Sequence, residues 1–326
     1  MSFDNAYEAL SDSSDSSAGT EDNDGPNDGP NDGHWAFGTG FTDPLAGVDT
    51  TVPADVDAAD LALYSLMLGD DALIMSHRLQ EWCASAPELE DEVALANIAL
   101  DLLGQARLLL SRAAAADGRG PGEASSVRGE ASSVPGEDRY AFFRAEHEFR
   151  NVRLAELERG DFGELTVRLL VFATWRLALL RRLAASRDPV LAAIAAKGVK
   201  EVTYHRDYAA QWLVRLGDGT EFSHERAAAG LAAVWPYVAE LFRGHDVERR
   251  LAAVGAGVDP AELRDEFDEV LGQVLAAAML DAPEVPVQAG AVQAGAGGRD
   301  GVHTGAMGSL LAELQSVARA DPEATW

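Results

Sequence analysis

The residues able to do chemistry in this 326-residue chain are few, and most interrupt apolar stretches. Asp70 and Asp71 break LALYSLMLGDDALIM, and Asp101 and Gln105 stand at i, i+4 spacing in ANIALDLLGQARLLL. Glu201 and His205 share that spacing in GVKEVTYHRDY. Carboxylates and an imidazole on helix faces can ligate a buried metal or form hydrogen-bonded pairs. Glu201 with His205, and Asp101 with Gln105, therefore read either as structural pairs or as remnants of a metal site. A lone histidine beside a core is more often a hydrogen-bonded structural group. Lys197 and Lys200, the only lysines among 26 basic residues, lie within one helical turn. They suit a phosphate or an acidic partner, or simply snorkel along a helix surface. Cys83 has no second cysteine to pair with and reads as a small buried hydrophobe. His303, in GVHTG, either serves a site or marks a turn into the last helix.

The elements that must position these groups are helices. Leu61, Tyr64, Leu68, Ala72, Met75 and Leu79 recur at helical spacing. From Val93 to Leu110 the apolar surface is broad enough to place a second helix inside a bundle. A short turn, Ala84–Pro87, makes this pair (residues 59–116) an antiparallel hairpin. Tyr140–Glu158 reads as partly helical, Glu164–Ser186 as a third long helix, and Asp188–Pro189 as the capped start of a fourth ending at Gly217. Two hairpins joined by one long connection define an all-α, ferritin-like bundle. Additional C-terminal helices follow: Ser223 to Arg243, Asp259–Pro260 to Leu280, and Ala306 to Arg319. Bundles of this type that are enzymes hold two metal ions between a Glu on each of two helices and a Glu-x-x-His pair on each of the others.

Composition limits the function further. A net charge of −28 argues against a nucleic-acid partner. No apolar run approaches the roughly 20 residues of a membrane span, and the acidic start lacks a secretory signal, so a cytoplasmic location is expected. Acidic excess with almost no lysine fits either a salt-rich interior or a GC-rich coding bias that replaces Lys with Arg. Residues 1–56 contain no Lys or Arg and include DNDGPNDGPNDG, which predicts a disordered acidic tail ahead of one domain, 57–326. The GEASSV duplication within 117–138 and the VQAG duplication within 282–300 predict flexible insertions.

Three segments carry a specific resemblance: LGDDALIMSHRLQEWCASAPELEDEVALANIALDLLGQAR, SRDPVLAAIAAKGVKEVTYHRDYAAQWLVRLGDGT and GVHTGAMGSLLAELQSVARADPEATW. From about Ala58 to Trp326 the chain resembles the PaaC family, the C-type components of ring-1,2-phenylacetyl-CoA epoxidases. The resemblance implies a non-catalytic subunit of a phenylacetate-degrading monooxygenase. It would pack against a related catalytic A subunit that carries di-iron, as a heterodimer that pairs into a heterotetramer. A B subunit and a reductase E component with NADPH, FAD and iron–sulfur would complete the complex, and no cofactor is expected in this chain. Where the catalytic family reads Asp-Glu-x-Gly-His, this chain reads Asp101-Leu102-Leu103-Gly104-Gln105. Its Glu-x-x-His frame becomes Val202-Thr203-Tyr204-His205, and Asp70 and Asp71 stand near the expected first-helix position, with Ala72 as the alternative register. Asp71, Leu102, Gln105, Val202 and His205 are thus expected to mark a vestigial di-iron site, with no catalytic residue. A degenerate metalloenzyme using Asp71, Glu201 and His205, or a stand-alone helical binding protein, are the alternatives.

Overall fold

The computed structural model describes residues 45–118, 136–283, 296–322 and 324. The described elements are helical, with no strand among them: α1 (Ala58–Gln80), α2 (Leu89–Ala116), α3 (Gly136–Phe142), α4 (Arg153–Glu156), α5 (Phe162–Leu183), α6 (Pro189–Gly217), α7 (Glu221–Val234), α8 (Asp246–Ala253), α9 (Arg264–Ala277) and α10 (Gly305–Ala320). The first hairpin, α1 with α2, and the second, α5 with α6, pack through a shared core in the ferritin-like arrangement. The connection between them carries α3 and α4 across the bundle, as one long crossover requires.

Local chemistry explains the helix starts. Asp57, Asp161 and Asp188 each accept the backbone N–H three residues on, at 2.8–2.9 Å. Each satisfies a donor that the first helical turn leaves orphaned. Pro189 follows its cap at the position where a missing N–H does no harm. Helix α5 is the axis of the molecule, with every residue from Leu165 to Leu180 buried beneath α6, α7 and α9. At its crossing with α7, a Cβ on Gly230 would fall 2.7 Å from the Cα of Glu164. Only glycine lets these backbones approach so closely.

Several expectations need correction. The acidic stretch up to residue 56 is not disordered throughout. Val56 is buried, Leu45, Val48 and Val52 pack against the core, and the Thr50 carbonyl accepts from Arg112 Nη1 at 2.6 Å. Residues 1–44 of that tail lie outside the described residues. Of the two insertions expected to be flexible, 119–135 and 284–295 also lie outside them. The flanks are ordered: 136–142 form α3, and Gly298–Asp300 form a 3₁₀ turn. The helix expected from Ser223 to Arg243 starts at the Thr220 cap, with Ser223 returning the bond in a capping box. It turns into a 3₁₀ segment, Trp235–Phe242, where Pro236 removes an N–H. Beyond Arg243 the chain adds α8, whose short and strongly charged sequence carries little helical signal.

Cys83 is exposed, not buried. Helix α2 is also less enclosed than its apolar content implies. Leu95, Ile98, Leu102 and Leu109 face inward, whereas Leu89, Val93, Leu100 and Leu103 face solvent.

One buried ion pair ties the two hairpins together. Arg112 on α2 donates from Nη2 to Asp188, and both side chains are withdrawn from water. Asp188 simultaneously caps α6. Asp188→Ala therefore strands a buried guanidinium and removes a helix cap. The expected loss is about 3–5 kcal/mol, read as a lower denaturant midpoint with an unchanged slope.

Candidate functional site

Helices α2 and α6 run antiparallel, so ascending numbers on one face descending numbers on the other. This register sets the polar partners. His205 Nε2 lies 3.0 Å from Asp101 Oδ2, and Gln105 Nε2 donates to Glu201 Oε2 at 2.9 Å. The pairs expected within each helix, Glu201 with His205 and Asp101 with Gln105, give way to these two rungs between helices. Lys197 holds the second oxygen of Glu201. Further along, Asp91 Oδ1 accepts from Tyr208 Oη and Trp212 Nε1, both at 2.9 Å. Gly198 leaves room beside Gln105: a Cβ there would come within 2.9 Å of Leu180 Cδ1.

On α1 both neighbouring carboxylates are fully buried, and each is met by an arginine from outside the four long helices. Asp70 receives both terminal nitrogens of Arg144 and, at 2.8 Å, the backbone N–H of Arg150. Asp71 receives Arg299 in a fork, at 3.0 and 2.8 Å, and the N–H of Val152 at 2.8 Å. Planar two-point pairing is what guanidinium offers and ammonium does not. Burial works against the charge on Arg299, but the carboxylates of Asp71 and then Glu248 outweigh it and hold the guanidinium protonated.

Between these two clusters, in the middle of α5, lies Arg176. Its Nε donates to Gln105 Oε1 at 3.0 Å, and Nη1 lies 3.4 Å from the Leu68 carbonyl. Nη2 is buried without a hydrogen-bond partner in the described structure. Burial is the main force on this group and pushes its pKa down to about 10, against the pull of Asp71. A guanidinium therefore links α1, α2 and α5.

A third buried cluster closes the C-terminal helix onto the connection. Glu156, withdrawn from water, accepts from Asn151 Nδ2 at 2.9 Å, from the Thr304 N–H, and from His303 Nδ1 at 2.7 Å. His303 Nε2 lies 3.2 Å from the Phe149 carbonyl. A carbonyl and a carboxylate both accept, so these two neighbours favour the ring that donates from both nitrogens, the imidazolium. Burial opposes that charge, but the bond to Glu156 and its carboxylate charge raise the His303 pKa above its ordinary value. The GVHTG segment is thus both a turn into α10, capped by Thr304, and an internal latch.

The residues that occupy the di-iron frame decide whether it can hold metal. Leu102 and Val202 are buried and offer only hydrocarbon. Gln105 spends both ends of its amide, His205 faces Asp101, and Asp71 is saturated by Arg299 and Val152. Arg176 adds a cation where a metal pair would need carboxylates. This set does not fit two iron ions. No grouping of three or more His, Cys, Asp or Glu in a metal-holding arrangement occurs among the described residues.

Residues 46–326 match the family that groups PaaA and PaaC, described as phenylacetic acid catabolic protein. The chain belongs to this family. It is also 40% identical over 266 residues to the C component of 1,2-phenylacetyl-CoA epoxidase from Escherichia coli strain K12, covering 82% of this chain and 99% of that one. Membership in the family connects the chain with phenylacetate catabolism, and the relative is by name one subunit of an epoxidase.

Sequence reasoning marks Asp71, Leu102, Gln105, Val202 and His205 but misses the three arginines that complete the interior. A signal exists for Arg176: a charged residue in the unbroken apolar run around Trp175 and Leu177 must be buried. Arg144 and Arg299 give none, since each lies in a connecting segment far from Asp70 and Asp71 in sequence.

Two outcomes follow from these contacts. Arg299→Leu leaves Asp71 and Glu248 buried without their cation and should destabilise by about 3–5 kcal/mol. Arg176→Met removes a cation with one short hydrogen bond and no ion-pair partner within bonding distance among the described residues. It should shift stability by less than about 1.5 kcal/mol, in either direction. Equilibrium denaturation of both variants checks the contrast. Because the folded His303 pKa is raised, its contribution is complete below the unfolded imidazole pKa and is lost as pH rises through the folded one. Thermal stability should therefore decline across that interval, and His303→Gln should flatten the decline.

Proposed function

We propose that this chain is a non-catalytic subunit of a phenylacetyl-CoA epoxidase, and that it packs against and stabilises the catalytic di-iron subunit. The observation that carries the reading is the interior where a di-metal site would lie, filled by Leu102, Val202 and the Arg176 guanidinium. A bundle so filled keeps the shape of an oxygenase subunit without the groups that bind metal and activate dioxygen. The name of the Escherichia coli relative, an epoxidase subunit, agrees with this role. On this reading the iron belongs to the A subunit, and the flavin, iron–sulfur and NADPH chemistry to a reductase component. The cytoplasm is the setting that fits such a complex.

Reconstitution tests the proposal. The chain alone, given phenylacetyl-CoA, dioxygen and a reductase, should form no epoxide. Mixed with the A subunit it should form a stable complex and raise or prolong the epoxidation that subunit supports. Turnover by the isolated chain would overturn the reading, as would an A subunit indifferent to its presence. Among the alternatives, a degenerate metal site is disfavoured because Asp71, Glu201 and His205 each bond a different partner.

A further inference from the structure

The helix whose composition best suits a bundle interior is the one that leaves a face in water. Leu89 is 70% exposed, Val93 54%, Leu100 62% and Leu103 39%, and they fall on the outer side of α2. Between Val93 and Leu103 lie Ala96 and Asn97, so about three turns of this face are apolar or uncharged in a chain with 54 acidic residues, with Glu90 and Glu92 at their start and Asp101 on the edge toward α6. Beside it, α6 presents Tyr204, 52% exposed, with its ring 6.5 Å from that of Tyr208. Gly104 sits in the groove between the two ridges, and a Cβ there would meet nothing within 4 Å. Single exposed apolar side chains need no explanation, but a contiguous set rimmed by polar groups marks an interaction site.

The rim indicates what covers it. Arg107, Lys197 and Lys200 gather at one end of the two ridges, and they include both lysines of the chain. The carboxylates nearest them are engaged: Asp101 faces His205, and Glu201 is shared by Gln105 and Lys197. Lys200 has no ion pair among the described residues, and Arg107 only a loose one, 3.9 Å from Glu137. A second copy would bring together two chains of charge −28, which disfavours self-association. Two helices of about 40 Å side by side offer a face on the order of 800 Å², the size each partner of a stable pair contributes.

We infer that the outer face of α2 with Tyr204 of α6 is the docking surface for another helical subunit. That partner presents an apolar helix ridge to Val93, Leu100 and Leu103, and carboxylates to Arg107, Lys197 and Lys200. This rests on the proposed function, under which the partner is the catalytic subunit of the epoxidase.

The experiment uses the full chain and the purified A subunit, with affinity read by titration and oligomeric state by sedimentation. Leu100→Asp and Leu103→Asp, each on a solvent-facing position, should keep the fold by circular dichroism. They should weaken the complex at least about 100-fold, as desolvating an unpaired carboxylate at an interface centre would. Lys197→Glu with Lys200→Glu should weaken it about 10-fold and reduce its salt dependence. Val317→Asp, an exposed apolar position on α10, should change nothing. Wild-type binding that survives both Leu variants would overturn the surface while leaving the proposed function intact. No wild-type binding would overturn both. A homodimer of the chain alone, dissolved by Leu100→Asp, would assign the face to a second copy and contradict the heterologous partner.

Discussion

A carboxylate cannot stay ionised in a helical core unless a cation or several N–H donors reach it, and α1 buries two in succession. Asp70 and Asp71 are separated from water on all sides by the hairpins they belong to. Their counter-charges come from Arg144 in the connection and Arg299 ahead of α10, so both irregular segments must fold back against α1. Such buried pairs contribute little net stability compared with hydrocarbon of the same shape, because desolvation offsets attraction. What they impose is placement: with either arginine elsewhere, a carboxylate stands alone at a penalty of several kcal/mol. Asp71 therefore fixes where Gly298–Asp300 and the start of α10 lie, and the Glu156–His303 contact closes the same region from the other side.

The centre of the bundle obeys the same constraint with opposite sign. Four ligand carboxylates would demand metal; a single guanidinium demands acceptors, and Arg176 finds one in Gln105 and a weaker one in the Leu68 carbonyl. Gln105 is in turn held by Glu201, which Lys197 shares, so a polar chain runs from the buried arginine to the surface between α2 and α6. The interior is thereby kept polar enough to hold the four helices in register and too poor in carboxylates to bind iron.

The long helices are legible in the sequence because their apolar period is strong, and for α6 the cap at Asp188 before Pro189 agrees with it. The caps Asp57, Asp161 and Thr304 come from the structure. The five positions Asp71, Leu102, Gln105, Val202 and His205 can also be placed, since frame spacing survives the loss of ligands. Their partners cannot, because pairing across α2 and α6 depends on an antiparallel register that neither helix encodes alone. Arg299 is hidden for a related reason: a glycine-rich flank reads as mobile, and its order comes from distant partners, chiefly the carboxylate of Asp71 with Glu248 and the Met67 and Arg150 carbonyls. The outward face of α2 escapes a reading from composition because α2 is apolar beyond what its own bundle encloses.

The most direct test of the interior is elemental analysis of the purified chain, for iron and other transition metals, after incubation with ferrous ion and desalting. With Leu102, Val202 and Arg176 in the ligand frame, the expected content is well below one metal per chain. Two metals per chain, retained through desalting and lost on His205→Ala, would contradict this account.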